Sequence, residues 1–266
     1  MEGGDGLAAA LLDLQGLAER LRRECPWDRA QTARTIVPHT VEEAYEVADA
    51  AQSGDDAKLL DELGDLLFQT FFLALTLQEK GAGSLAEVAQ AIHTKLVRRH
   101  PHVFGEAELE SAGAVKRRWE ELKAEQEGRA GIFHDVPEAL PALLHAKKVQ
   151  RRAATVGFDY PNAQAALGDL ESELAELRHE LPYVDPAPET EPDPRLAAEL
   201  GDVLFACVNV ARRLNIDPEL ALRQAAGRFT ARVERAEQLA SAEDKAFADL
   251  ELTEQDGYFD RAKEDE

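Results

Sequence analysis

Residues 40–46 read TVEEAYE and residues 61–77 read DELGDLLFQTFFLALTL, and these two segments decide the fold. If both are helical, a spacing of three residues brings two carboxylates onto one face of each helix. The carboxylates belong to Glu43, Glu46, Glu62 and Asp65. Nine of the last twelve positions are apolar, which predicts a core helix buried nearly all round. Like charges beside such a helix repel one another and lose hydration unless a cation lies between them, so the pattern favours a divalent-metal site.

The same arrangement occurs a second time further along the chain. Residues 199–205 read ELGDVLF and differ from residues 62–68 only by a valine in place of a leucine. The second set of carboxylates comprises Glu173, Glu176, Glu199 and Asp202. One acidic pair alone is ordinarily a solvated helix face, but a repeat that preserves acidic as well as apolar positions is hard to explain by packing alone. We therefore predict two tandem domains, residues 1–128 and 139–266, with a connection at residues 129–138.

Composition and charge narrow the fold class and the partners. Of 266 residues, 44% are hydrophobic and 6% aromatic, and few segments alternate between apolar and polar residues, which favours an all-α fold. The formal charge of −22 argues against binding to a nucleic acid polymer, which usually needs a basic surface. No stretch approaches the roughly 20 apolar residues that cross a bilayer, and the N-terminus lacks a signal-peptide pattern. Cys25 and Cys207 have no metal-ligand spacing and are expected as reduced thiols, so we expect a cytoplasmic protein with no membrane partner.

Periodicity and end signals predict where the helices lie. Thr40 followed by Glu43 has capping-box spacing, so we expect Pro38, His39 and Thr40 to precede the first acidic helix. The second core helix is expected to begin near Arg195. The other predicted helices cover residues 7–23, 57–80, 85–99, 112–127, 139–155 and 219–240.

Basic and aromatic residues recur at a spacing of four, which places them on common helix faces. The pairs are Lys95 with Arg99, Trp119 with Lys123, Arg228 with Arg232, and Phe259 with Lys263. Cations and a ring in this arrangement can contact the phosphates and the base of a nucleotide held against the acidic pairs. The alternatives are ordinary charge at a helix C-terminus for the cations and core packing for the rings.

Five stretches carry a resemblance to a known family. They are CPWDRAQT at 25–32, VEEAYE at 41–46, ELGDLLFQ at 62–69, RRHPHVF at 98–104 and ELGDVLFA at 199–206. Taken together and in this order, the chain resembles the MazG family of nucleoside triphosphate pyrophosphohydrolases over nearly its whole length. The resemblance implies two tandem four-helix MazG-like bundles of the all-α NTP pyrophosphatase type, a homodimer, and Mg²⁺ as the metal with Mn²⁺ as a substitute.

The resemblance also assigns residues to roles. The family's metal-binding and catalytic acidic pairs fall on Glu43, Glu46, Glu62 and Asp65, and again on Glu173, Glu176, Glu199 and Asp202. The family's positions that face the triphosphate and the base fall on Lys95, Arg99, Trp119 and Lys123, and again on Arg228, Arg232, Phe259 and Lys263. The copies differ, because Ser172 stands where the first copy has Glu42.

The implied reaction is hydrolysis of an NTP or dNTP to the monophosphate and diphosphate, with a broad, house-cleaning specificity. Carboxylate oxygens suit Mg²⁺, which completes its shell with water and substrate phosphates. One carboxylate that is not fully committed to metal can accept a proton from the attacking water. Two alternatives remain open: a narrower all-α dUTP or phosphoribosyl-ATP pyrophosphohydrolase, and a non-catalytic acidic helical adaptor.

Overall fold

Helices form all the regular structure in the part of the chain that the computed structural model describes, which is residues 2–105, 131–133, 136–181 and 191–265. The all-α prediction is therefore confirmed. The chain divides into two compact units, Met1–Gly128 and Arg129–Glu266. The predicted helix at 112–127 lies outside the described residues.

The N-terminal unit is built from four long helices and two short ones among its described residues. They are α1 (Glu2–Glu24), α2 (Pro26–Ala30), α3 (Ala33–Ser53), α4 (Asp56–Glu79), α5 (Leu85–Arg99) and α6 (Pro101–Phe104). Helix α3 packs along α4, and α4 also contacts α1 and α5. The buried apolar side chains of α4, Phe71, Phe72 and Ala74, form the centre of this packing.

Helix α3 begins earlier than predicted, at Ala33, and the expected start after Thr40 is wrong. Thr32 is the N-cap: its side chain accepts the backbone N–H of Thr35, whose hydroxyl accepts the backbone N–H of Thr32. This capping box and the burial of Ile36 hold the first turn, so Pro38 is tolerated inside the helix. Thr40 lies in the helix interior, where its hydroxyl donates to the Ile36 carbonyl at 3.4 Å.

The expectation that α4 is buried nearly all round is also wrong. Leu60, Leu63 and Leu67 are 76%, 47% and 39% exposed. Their spacing of three and four residues places them on one stripe of the helix. Among the described residues of the N-terminal unit, the packing of α1, α3 and α5 therefore leaves an apolar face of α4 exposed.

Arg22, near the end of α1, links three parts of the N-terminal unit. Its guanidinium makes a two-pronged ion pair with Glu79 at the end of α4, with N–O distances of 2.7 and 2.8 Å. It also donates to the carbonyls of Asp28 and Gln31 in the segment around α2, and it lies over the Phe72 ring. The segment that leads into α3 is thereby tied to the far end of α4.

The C-terminal unit contains four long helices, a shorter final helix and one turn of 3₁₀ helix in its described residues. They are α7 (Ala142–Thr155), α8 (Ala163–Glu180), α9 (Pro194–Arg213), α10 (Pro218–Ser241), the 3₁₀ turn Phe247–Asp249, and α11 (Leu252–Glu264). Helix α8 packs along α9 as α3 packs along α4, and α7 contacts α9 and α10. The N-caps of α8, α9 and α10 are Asn162, Asp193 and Asp217, whose side chains accept backbone N–H groups of the first turn.

Helix α11 is held on α10 by a small apolar core and by a hydrogen bond from its tyrosine. Tyr258 and Ala262 of α11 pack on Ala236 and Ala240 of α10. The Tyr258 hydroxyl donates to Glu243 at 2.6 Å. No helix in the described ranges has both the length and the hydropathy that a membrane span requires.

We predict that the ion pair between Arg22 and Glu79 stabilises the protein in a pH-dependent way. Hydrogen bonding to Arg22 lowers the pKa of Glu79, so the contribution is present above the unfolded pKa of about 4.3 and is lost as pH falls through the lower folded value. Glu79→Gln should lower the free energy of unfolding at pH 7 by about 1 kcal/mol in urea titrations, and this difference should shrink below about pH 4. Glu24→Gln, which removes an exposed pair within α1, is the matched control. A difference that persists unchanged in acid would contradict the prediction.

Candidate metal centre

The hairpin between α3 and α4 places the two acidic pairs opposite one another. Gly54 ends α3 in the left-handed conformation, with φ of 72°, and the Asp55 side chain caps α4 by accepting two backbone N–H groups. Glu43 and Asp65 each lie eleven residues from Gly54, and Glu46 and Glu62 each lie eight residues from it. In an antiparallel pair of helices, equal distance from the turn means equal height, so the carboxylates meet across the interface.

The first cluster consists of Glu43, Glu62 and Asp65. Each offers a carboxylate oxygen, and these oxygens all lie within 4.8 Å of one another. Glu43 and Glu62 are half-buried and Asp65 is exposed. Three oxygens of this kind, at the edge of a helix interface and open to solvent on one side, form a donor set suited to a hard divalent cation.

Glu46 lies beside this cluster, and its charge affects the pKa of two members of the cluster. Partial burial and the charge of Asp65 raise the pKa of Glu43, with further contributions from a hydrogen bond and the charge of Glu46. Partial desolvation and the charge of Glu46 also raise the pKa of Glu62. All four predicted carboxylates of the first copy are therefore electrostatically coupled.

The second cluster repeats this geometry with a different connection. Glu173, Glu199 and Asp202 offer oxygens that lie within 4.8 Å of one another, with the same order of burial as in the first copy. The connection between α8 and α9 spans residues 181–193, so it is much longer than the turn at Gly54. Partial burial raises the pKa of Glu173, and Glu176 is the largest of the charges that add to this effect. The two copies therefore bring their carboxylates together in the same way, although the connections between their helices differ in length.

The carboxylate clusters fit a small divalent cation. Ion–oxygen distances of about 2.1 Å for Mg²⁺ place neighbouring ligand oxygens about 3 Å apart and opposite ones about 4.2 Å apart. Oxygens within 4.8 Å reach such spacings by small rotations of the carboxylate side chains. The pKa values of Glu43 and Glu173 are raised because desolvation and neighbouring carboxylates destabilise the charged forms of these side chains. A bound cation would stabilise the charged forms again.

The predicted substrate residues lie in several environments. Lys95 and Arg228 are exposed, Arg232 is half-buried, and Arg99 is buried with 8% exposure. Phe259 is half-buried and packs on the Phe229 ring with centroids 5.6 Å apart. Lys263 lies 4.9 Å from the centroid of the Phe259 ring and binds Asp260 at 2.8 Å. Trp119 and Lys123 lie outside the described residues, and the roles of all eight side chains stay predictions.

Three residues beside the clusters were not predicted as site residues. His39 binds Glu42 through Nδ1 at 3.1 Å and contacts the Trp27 ring, with centroids 5.9 Å apart. A hydrogen bond to Asp169 raises the pKa of Tyr160 to about 12, and the Asp169 charge also acts on Glu173. His39 and Asp169 each lie four residues before the first carboxylate of their cluster. This helical spacing was the available signal in the sequence.

Comparison with known proteins relates the chain to one family. The MazG nucleotide pyrophosphohydrolase domain matches residues 31–104, which span α3 to α6 and contain the first cluster. A nucleoside triphosphate pyrophosphohydrolase of Escherichia coli K12 is 38% identical over 258 residues, which cover 94% of this chain and 95% of that protein. A protein of Thermotoga maritima named nucleoside triphosphate pyrophosphohydrolase/pyrophosphatase MazG is 36% identical over 256 residues, with 94% of both chains covered.

A solved structure also matches part of the chain. The crystal structure of a mazG-related protein from Thermotoga maritima is 30% identical and covers 42% of this chain and 96% of that one. The TM-score of this match is 0.37.

We predict that the carboxylate clusters destabilise the metal-free protein. Because the pKa of Glu173 is raised, its charged form carries a cost at neutral pH that disappears once the group is protonated in acid. Glu173→Gln in the presence of a chelator should therefore raise the midpoint of thermal unfolding at pH 7 by roughly 1–2 °C, and this gain should vanish towards pH 4. Glu171→Gln, an exposed carboxylate on the same helix, is the control and should leave the midpoint within about 0.5 °C. A lower midpoint for Glu173→Gln would mean that this carboxylate makes a net stabilising contact.

Proposed function

Because the chain belongs to the MazG family of nucleoside triphosphate pyrophosphohydrolases, we propose that it hydrolyses nucleoside triphosphates to nucleoside monophosphate and diphosphate with the help of Mg²⁺. The observation that carries the proposal is the duplicated carboxylate cluster, with oxygens within 4.8 Å in each copy. The relatives from Escherichia coli and Thermotoga maritima, whose names give this activity, match more than nine-tenths of the chain. An acidic adaptor has no need of such a cluster, since solvated carboxylates are better spread apart.

The carboxylates have two tasks in this proposal. Glu43, Glu62 and Asp65 in the first copy hold the metal, and so do Glu173, Glu199 and Asp202 in the second. Bound Mg²⁺ polarises phosphoryl oxygens and lowers the pKa of coordinated water. Glu46 and Glu176 lie outside these trios but act electrostatically on them, so they are available for a second ion or for a proton from the attacking water.

The cationic side chains complete the proposed site. Lys95 and Arg228 are exposed and free to turn towards a polyanion, and they would neutralise charge that grows on the departing diphosphate. Without a metal or these cations, a triphosphate would be repelled by a chain of charge −22. We propose a broad specificity for NTPs and dNTPs, because the assigned side chains would bind metal and phosphates or stack on a base, and none of them is assigned to read the edge of one particular base.

We also propose that the chain works as a homodimer. The exposed stripe on α4, Leu60, Leu63 and Leu67, has counterparts in Leu200 and Leu204 of α9, which are 49% and 51% exposed. An apolar stripe repeated in both copies, on the helices that carry the acidic pairs, is typical of a face that a second subunit covers.

The proposed activity predicts Mg²⁺-dependent hydrolysis of nucleoside triphosphates. With Mg²⁺, the wild type should release diphosphate from each common NTP and dNTP at rates within about tenfold of one another, and a chelator should abolish release. The double variant Glu46→Ala/Glu176→Ala should lose at least about 100-fold in rate, and the two single variants should show which cluster turns over. Diphosphate is measured with a coupled colorimetric assay, and the monophosphate by chromatography.

The controls for turnover are neighbouring carboxylates. Asp61→Asn and Glu171→Gln remove exposed charges next to the clusters and should retain most of the activity. Turnover confined to dUTP or to phosphoribosyl-ATP would replace the broad specificity by a narrow one. If the wild type releases no diphosphate in the presence of Mg²⁺, the proposed function is wrong.

The second prediction concerns assembly. Wild-type protein should sediment as a dimer in analytical ultracentrifugation, and Leu63→Glu/Leu67→Glu should shift it towards monomer because two charges on the stripe oppose burial. Leu12→Glu is the control, since Leu12 is 67% exposed on α1 and not part of the stripe. A wild-type monomer at micromolar concentration would overturn this part of the proposal.

A further inference from the structure

Few apolar side chains attach α11 to α10. The residues fully buried between these helices are Ala236, Ala240, Tyr258 and Ala262, and three of the four are alanines, which contribute little apolar area. The side chains around this core, Leu239, Phe247, Leu250 and Phe259, are only partly buried. A helix of 13 residues is also marginal in water by itself. The position of α11 therefore depends on polar contacts around the core as well.

A polar cluster at the end of α10, called the clasp here, consists of Glu243, Lys245, Tyr258 and Arg261. One oxygen of the Glu243 carboxylate accepts the Tyr258 hydroxyl at 2.6 Å, and the other accepts the Arg261 guanidinium at 2.8 Å. Arg261 Cζ and Lys245 Nζ lie 5.1 and 5.5 Å from the centroid of the Tyr258 ring. Glu243 thus joins two side chains of α11 to the turn that follows α10.

The turn after α10 brings both of its clasp residues to Tyr258. Asp244, which separates Glu243 from Lys245, has a φ of 57°, in the left-handed region that most side chains avoid. The Lys245 N–H donates to the Ala240 carbonyl at 3.0 Å, so the turn folds back on the end of α10. Such a backbone conformation persists where surrounding contacts hold it, and the clasp supplies contacts on both sides of Asp244.

Two neighbouring rings of α11 reach different parts of the α10 region. Tyr258 binds Glu243, which lies beyond the end of α10. Phe259 packs on Phe229, fourteen residues before Glu243, with ring centroids 5.6 Å apart. Because a helix rises about 1.5 Å per residue, these two contacts are well separated along α10. Helix α11 cannot turn about its own axis without breaking one of them, so the clasp fixes the direction of Phe259.

The contact between the phenylalanine rings also relates two groups of predicted substrate residues. Phe229 directly follows Arg228 in α10, and Lys263 of α11 lies 4.9 Å from the centroid of the Phe259 ring. The position of α11 therefore places the ring and cation of one helix at the level where Arg228 stands on the other. It follows that the docking of α11 decides where Phe259 and Lys263 lie relative to Arg228.

We propose that Glu243 is a positioning residue of the second site, which holds α11 in the orientation in which Phe259 and Lys263 receive the bound nucleoside triphosphate. The inference rests on the proposed function, because it takes Phe259 and Lys263 as contacts of that substrate. Glu243 itself touches neither substrate nor metal and acts through Tyr258 and Arg261. The substrate in turn stabilises the docked helix, since a ligand that binds only one conformation shifts the equilibrium towards it.

Calorimetry tests the effect of the clasp on binding. The probe is an ATP analogue with a methylene bridge between the α and β phosphorus atoms, which the proposed reaction does not cleave. The parent protein is Glu62→Gln, in which the first cluster is disabled. With Mg²⁺, Glu243→Ala should weaken binding of the analogue about tenfold, whereas Glu243→Gln, which keeps an acceptor for the Tyr258 hydroxyl, should weaken it less than threefold. Glu237→Ala removes an exposed carboxylate of α10 and is the matched control, which should leave the affinity within twofold.

A double-variant cycle tests whether Tyr258 and Glu243 act as one unit. Tyr258→Phe keeps the ring in the core and removes only the hydrogen bond to Glu243. Alone it should weaken binding of the analogue about threefold, and added to Glu243→Ala it should cause no further loss, because both changes break the same contact. Additive losses would mean that the two side chains affect binding separately, and would overturn the clasp as the route.

Hydrogen exchange provides a readout that is specific to α11. In Glu243→Ala, the backbone amides of Leu252–Glu264 should exchange at least about fivefold faster than in the parent, while those of α8 and α9 keep their rates. Mg²⁺ with the analogue should slow exchange of the same α11 amides in the parent. Faster exchange throughout the C-terminal unit would mean that Glu243 supports the whole unit and does not position α11.

The outcomes separate the inference from the proposed function. If Glu243→Ala binds the analogue as tightly as the parent, or if the analogue does not protect α11, the positioning role is wrong while the function stands. The same holds if Glu62→Gln fails to bind the analogue although the wild type binds it, because the second site then takes no substrate. If the wild type neither binds the analogue with Mg²⁺ nor releases diphosphate, both are wrong.

Discussion

Repulsion between carboxylates is the constraint on which this structure depends. Two packed helices in each unit bring acidic side chains together at the same height, and the pKa values of Glu43 and Glu173 are raised as a result. A chain selected only for stability would spread these charges over its surface, where each carboxylate keeps its hydration and is far from the others. The fold instead holds them within 4.8 Å and leaves part of each cluster open to solvent, which is the arrangement that a cation and an anionic substrate can share.

The exposed apolar face of α4 is a second feature that stability of the single chain does not explain. Nine of the twelve residues from 66 to 77 are apolar. Most of them are covered, but Leu67 and Leu77 are each 39% exposed, and the exposed stripe continues from Leu67 into Leu60 and Leu63. The acidic pair and the stripe lie on different faces of one helix, since neighbouring residues are about 100° apart. The carboxylate cluster and the exposed apolar stripe are therefore positioned by the same helix, so the proposed dimer contact and the geometry of the proposed metal site would be linked in each copy.

The two copies share the placement of their acidic side chains more closely than the residues that surround them. The N-cap of each first acidic helix lies eleven residues before the first carboxylate, and both connections pair their acids symmetrically along the sequence. The contacts that hold the preceding segments differ, by contrast: Arg22 of α1 binds two carbonyls of the segment and Glu79, whereas Arg212 and Arg213 of α9 bind Asp159 of the segment before α8. The residues next to the clusters differ most, with Trp27, His39 and Glu42 in one copy and Tyr160, Asp169 and Ser172 in the other.

The sequence by itself determined the helical class, the duplication and the candidate carboxylates, because helical periodicity and residue spacing are local properties that a single chain displays directly. Helix α5 was predicted at its observed bounds for the same reason. The start of α3 was misjudged, since the capping box at Thr32 and the burial of Ile36 outweigh the local signal of Pro38. Only the tertiary structure decided which face of α4 stays exposed, that Phe259 packs on Phe229, and that Trp27 contacts His39. Each of these depends on contacts between segments distant in the chain, and their distances follow from how the helices pack and not from spacing along any one of them.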